Sequence, residues 1–195
     1  DMITVTNASQ SGTYKYKVSA PNHHDAIGDV NVSVIDFAVE VPVLLDAVYT
    51  GEPYDPTAGL SSTKYTWTPV AHTDVGDYDV RVTLVDPLNN HWMGTDEAFV
   101  DVEYSITKAP SVVTVAGLNT EYDGLAHDLV TVTDLSGGTI GFSLTPSDYT
   151  ASIPEKTLAG GYVVYWKVTG DSNHSDLVGS TSAVILKADP GLTPS

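Results

Sequence analysis

Hard oxygen ligands cluster in one loop of this chain. Gly170 is followed by Asp171, Ser172, Asn173, His174, Ser175 and Asp176. Carboxylate and amide oxygens in that pattern suit a calcium ion, which prefers an all-oxygen shell. Asp171, Asn173 and Asp176 are the residues that would supply it. Asp74, Asp77, Asp86 and Asp96 place similar oxygens in other loops. No Asp-x-Asp-x-Asp-Gly run exists, which excludes an EF-hand loop. Zinc fits less well, because the chain has no cysteine and His23-His24 has only Asp25 beside it. A plainer chemistry competes for the same residues. An Asn-His step recurs at Asn22-His23, Asn90-His91 and Asn173-His174, each time after the same kind of apolar stretch. There the Asn bonds backbone within a turn and the His covers a strand end. The expectation is no cofactor, with calcium the one metal these loops could serve.

Reactive chemistry finds little support. Gly-x-Ser-x-Gly and His-Glu-x-x-His are both absent, as is any thiol. Carboxylates are so numerous that a glycosidase pair could be drawn almost anywhere, which empties that signal. The chain reads as a non-enzyme. Recognition through aromatic rings is a separate chemistry. Trp92 beside Met93, with Tyr49 and Tyr54, could grip a glycan or a host protein from loops. The competing reading has Trp92 closing one end of the fold. Trp67 and Trp166 sit on apolar strand faces, where burial contributes about 2–3 kcal/mol each. Lys15, Lys17 and Lys167 alternate with apolar neighbours and so point outward, which argues against a lysine–asparagine cross-link.

These residues must be positioned by strands. In Asp74-Val75-Gly76-Asp77-Tyr78-Asp79-Val80-Arg81-Val82 and the two residues that follow, Tyr78, Val80, Val82 and Leu84 share one face. Asp79, Arg81 and Thr83 share the other. Period two marks a strand with one buried and one wet side. The stretch recurs as Gly12-Thr13-Tyr14-Lys15-Tyr16-Lys17-Val18 and as Gly160-Gly161-Tyr162-Val163-Val164-Tyr165-Trp166-Lys167-Val168. Each copy runs through its Asn-His step into a second apolar strand: Val30 to Val34, Phe99 to Ile106, Ser182 to Leu186. A strand-loop-strand unit occurring three times means tandem repeats. The pattern resembles the penultimate strand of an immunoglobulin-like sandwich, whose tyrosine corner bonds back to upstream backbone. Tyr14, Tyr78 and Tyr162 match that tyrosine.

Composition bounds the setting. The 195 residues carry 25 acids against 8 bases, a net charge of −17. Phosphate backbones and anionic membranes want Lys and Arg, so nucleic acid is excluded as a partner and membrane insertion is not expected. Most acids are Asp, a turn former, and eleven tyrosines join abundant Val and Thr, which favour strands. The absence of cysteine suits an exported bacterial domain or a cytosolic one better than a disulfide-bearing animal one. The chain opens at Asp1 without a signal peptide and closes on Asp189-Pro190-Gly191, so both ends are expected to continue into other segments.

In order, residues 1–36 read as the back half of a repeat. Two or three strands cannot bury a sandwich core alone. Either a separate chain completes 1–36 by strand complementation, or this half packs on the next domain. Residues 37–108 form a complete repeat, opening with an edge strand from Phe37 to Val43 that Pro42 interrupts. Residues 109–188 form a longer one, with an extra strand from Asp148 to Ile153 that Asp1 to Val5 resembles. Residues 189–195 read as a linker. Lys108-Ala109-Pro110 and Lys187-Ala188-Asp189-Pro190 are short stiff joints, since proline fixes its own φ and restricts its predecessor. Such joints predict a semi-rigid series of all-β, immunoglobulin-like sandwiches.

The order of these motifs is similar to a known group. Tyr49-Thr50-Gly51 and Tyr122-Asp123-Gly124, the Gly-x-Tyr-x-Val strand, Gly170-Asp171-Ser172-Asn173-His174 and the Lys-Ala-x-Pro joint together resemble the bacterial Ig-like repeats of the MBG type. The resemblance spans roughly residues 5–188. It implies tandem modules in the stalk of an adhesin-like or cell-wall-linked protein outside the cell. It implies no catalytic residues. Such modules space an active domain from the surface, or trail an enzyme that degrades polysaccharide or cell wall.

Overall fold

The computed structural model describes residues 10–33 and 35–189. The strand expected near Met2 to Thr6, the end of the Val30–Val34 strand at Val34, and residues 190–195 of the linker lie outside the described residues. The protein is all-β, with no α-helix among the described residues. Period-two patterning drives this. Along Gly76–Leu84, Val80, Val82 and Leu84 are buried while Asp77, Asp79, Arg81 and Thr83 are exposed. Phe99–Thr107 repeats the alternation, burying Val102, Tyr104 and Ile106 and exposing Asp101 and Glu103.

The described chain forms two compact units, with 10–33, 35–46, 53–72 and 77–105 in the first and 47–52, 73–76 and 106–189 in the second. The first unit begins with an antiparallel hairpin, Gly12–Val18 with Ala26–Val32, which makes a two-stranded sheet of its own. Phe37–Val39 runs parallel to Asn90–Trp92. A further sheet orders Phe99–Thr107, Gly76–Leu84 and Tyr65–Trp67 side by side. Its core holds Val39, Leu44, Val80, Val82, Leu84, Trp92, Val102 and Tyr104. Two expectations are corrected here. The strand at Phe37 ends at Val39 rather than reaching Val43, because Pro42 has no N–H to offer a ladder. The hairpin's return strand starts at Ala26, earlier than Val30.

In the second unit Leu177–Leu186 lies between Asn119–Glu121, to which it is parallel, and Gly160–Gly170, to which it is antiparallel. Gly138–Ser143 continues that sheet beyond Gly160–Gly170. Val112–Gly117 pairs antiparallel with Val130–Ser136 in a separate ladder. Leu129, Val130, Phe142, Val164 and Ala183 meet as the core between these layers, with Val115, Leu118, Val132 and Ile153 packed against it. The strand expected from Asp148 to Ile153 is reduced to a bridge between Thr150 and Phe142. Asp148 takes a φ of 54°, which breaks an extended run before it starts. Further on, Glu155–Lys156 pairs with His127–Asp128. The joint at Ala109–Pro110 is itself built into a ladder, parallel to His174–Ser175. Ser111 is buried beside it, its hydroxyl donating to the carbonyls of Gly137 and Ser175 at 3.1 and 2.7 Å.

Candidate functional site

The recurring tyrosine is built the same way at both ends of the chain. Tyr162 donates its hydroxyl to the carbonyl of Leu158 at 2.7 Å, and Tyr14 donates to that of Gln10. Each bond spans four residues and ties the start of a strand to the loop that feeds it. The ring of Tyr78 stacks on that of His72, with centroids 3.9 Å apart. All three tyrosines are half-buried, with buried Val80 and Val164 two residues on from Tyr78 and Tyr162. Tyr162→Phe is expected to cost the second unit about 1 kcal/mol, the net worth of one hydrogen bond, read as a lower urea midpoint at unchanged slope.

The loop of candidate calcium ligands directs its oxygens elsewhere. Asp171 Oδ1 accepts from the Asn173 backbone N–H at 2.8 Å and lies 2.7 Å from His174 Nδ1. The Asn173 side chain accepts from the Val75 N–H at 2.9 Å and donates to Asp74 Oδ1 at 3.0 Å. Asp176 accepts from the Gly170 N–H at 2.9 Å and pairs with Lys167 at 2.8 Å. Lys108 Nζ donates to the carbonyls of Asp171 and His174, placing a cation beside the loop. The hydrogen bond with His174, then that from Asn173, holds the Asp171 carboxyl below the usual range. Lys167, then the Gly170 N–H, does the same for Asp176. Among the described residues no three His, Cys, Asp or Glu side chains come together as a metal-binding group. Asn173 acts as a clamp for backbone, and His174 covers a strand end with its ring edge-on to Tyr49 at 5.2 Å.

The aromatic residues proposed for ligand contact are not gathered. Trp92 is 0% exposed, which corrects its reading as a loop aromatic open to a ligand. It pairs in the Asn90–Trp92 strand and packs 5.4 Å from Tyr65. Tyr54 donates its hydroxyl to the carbonyl of Leu45 at 2.9 Å and leans on Tyr104. Tyr49 is half-buried against His174. Trp67 and Trp166 are half-buried on their strands.

One cleft of the first unit has no signature in the local residue order. Asp46, Asp77, Tyr78, Asp79, Glu103, Tyr104 and Ser105 line a cleft of about 480 Å3. Buried Tyr104 lies with its hydroxyl 2.6 Å from His72 Nδ1. Burial, then the neighbouring Tyr78 and Asp55, pushes that hydroxyl above its ordinary pKa and keeps it protonated. Asp46 is already engaged, its carboxylate accepting from the Ser105 N–H and hydroxyl at 2.7 and 2.9 Å. The available signal was that Asp77, Asp79, Asp101 and Glu103 occupy alternate outward positions on two strands. No protein-family model matches this chain, and no curated protein matches it in sequence.

Proposed function

We propose that this chain is a series of immunoglobulin-like repeats forming a stalk or adhesion segment of a bacterial surface protein. Its role is to space or present another domain outside the cell, without catalysis of its own. The observation that supports this best is the recurrence of one unit, with the same tyrosine-to-carbonyl bond at Tyr14 and Tyr162, each spanning four residues. Repetition of a packed unit extends reach without building a site. The acidic surface adds solubility and discourages self-association. A screen of the purified chain on glycan and matrix-protein arrays tests the reading. Silence is expected; saturable binding to one class would overturn the passive role.

A second reading has a specific feature behind it. The cleft at Asp77, Asp79 and Glu103 offers carboxylates to sugar hydroxyls beside the Tyr78 ring. In that case array binding to a glycan would be abolished by Asp79→Ala together with Glu103→Ala.

A further inference from the structure

The hairpin Gly12–Val18/Ala26–Val32 has two chemically distinct faces. Its register places Tyr14 opposite Val30, Tyr16 opposite Gly28 and Val18 opposite Ala26, all on one side. That side is apolar and open: Tyr16 is 51% exposed, Val18 61% and Val30 46%. The other side is closed by its own polar pairs, Lys15 with Asp29 at 3.0 Å and Thr13 with Asn31 at 2.6 Å, leaving only Ile27 among them. A two-stranded ribbon is marginal in water unless its apolar face is covered. What covers it must itself be apolar, because the face presents no charge to pair.

The last repeat displays the same ribbon with its cover in place. Tyr14 corresponds to Tyr162 through the shared corner bond, so Tyr16 corresponds to Val164. Through the ladder Val30 corresponds to Ala183 and Val32 to Ile185. Val164, Ala183 and Ile185 are at most 3% exposed, and Val164 and Ala183 pack with Leu129 and Val130 from the front half of that repeat. A second copy's hairpin is too small to do the same. Seven residues at about 3.3 Å each, two strands wide, give a face of about 230 Å2. Two such faces bury about 460 Å2, well under the roughly 1,200 Å2 of a stable interface. A covalently joined layer escapes the cost of bimolecular association.

We propose that this face is the docking surface for a front half-repeat of the 109–148 type, a β layer with an apolar Leu-Val-x-Val face, joined on the N-terminal side of the hairpin. The inference rests on the repeat reading above but not on the stalk role. The chain has no cysteine, so Val30→Cys supplies a unique thiol. Its labelling by a maleimide is measured in the full chain, and in the full chain with a copy of residues 109–148 placed directly before Asp1. Labelling at the free-thiol rate in the first, and about a hundredfold slower in the second, is expected. Hydrogen exchange of the Tyr14–Val18 amides in the same two chains without the cysteine should slow in parallel. Equal labelling and equal exchange in both would overturn the proposal. So would protection in the unextended chain, whether independent of concentration (its own residues cover the face) or rising with it (a second copy does). Array silence or binding leaves these rates untouched, so this test and that of the stalk role fail separately.

Discussion

Trp92→Ala is expected to lower the stability of the first unit by about 3–5 kcal/mol, the cost of emptying a buried tryptophan site. Trp92 is 0% exposed and shares its strand pairing with Val39, itself in the core. Truncation removes a bicyclic ring from a space bounded by Tyr65 and the Phe37–Val39 backbone, and strands on both sides resist collapse into the void. Trp92→Phe separates two contributions. The indole Nε1 is buried without a protein hydrogen-bond partner among the described residues. Leaving such a donor unpaired costs about 1–3 kcal/mol, which phenylalanine removes while leaving a smaller void. Those terms oppose each other, so Trp92→Phe should lose about 1 kcal/mol or less. Urea unfolding followed by far-UV circular dichroism measures both variants. A loss under about 1 kcal/mol for Trp92→Ala would return the residue to the surface and reopen its candidacy as a ligand contact.

The contrast between Trp92 and Val80 explains what residue order could reveal. Val80 sits inside a nine-residue run whose alternation is uninterrupted, so its burial follows from period two alone. Trp92 ends a three-residue strand after a turn, with Met93 57% exposed immediately behind it. No local period distinguishes the two neighbours; the parallel pairing to Phe37–Val39, more than fifty residues away in sequence, decides. The same limit governs Asp148. Asp-Tyr-Thr-Ala-Ser-Ile looks like a strand by composition, yet a left-handed φ at Asp148 turns the chain and leaves only Thr150 bridged. The loop at Asp171 shows a third kind of limit. Oxygen-rich spacing is common to calcium loops and to self-bonded turns, and it does not reveal the bonds that this loop makes to Asp74, Val75, Lys108 and Lys167. Strand type and facing were therefore legible wherever the pattern ran long. Long-range partners, and the cleft between two outward rows of carboxylates, depend on register that alternation does not specify.

Gly117→Ala is expected to destabilise the second unit by about 3 kcal/mol, at the upper end of overpacking costs. Up to Gly117 the chain pairs with Val130–Ser136; from Asn119 it pairs with Val184–Leu186. The switch between layers happens at Leu118, whose N–H donates to the Leu129 carbonyl and whose carbonyl accepts from the Val184 N–H, both at 2.8 Å. Gly117 must therefore pass close against the return strand. A Cβ there would meet the Ser182 carbonyl oxygen at 1.9 Å, an obstacle of backbone that no rotamer change can relieve. Either the crossing strand withdraws, stretching both Leu118 bonds, or the return strand bends away from Gly160–Gly170. Gly161 supplies the control within the same unit. Nothing lies within 4 Å of its Cβ position and its strand is extended, so Gly161→Ala should be neutral or stabilise by about 0.5 kcal/mol through the unfolded chain. Thermal and urea unfolding of the two variants, made singly, would show a clear loss for Gly117→Ala and none for Gly161→Ala. If Gly117→Ala unfolded at the parent midpoint, the two layers would have to approach each other through some other residue. The sharing of Leu118 between both ladders would then be incorrect.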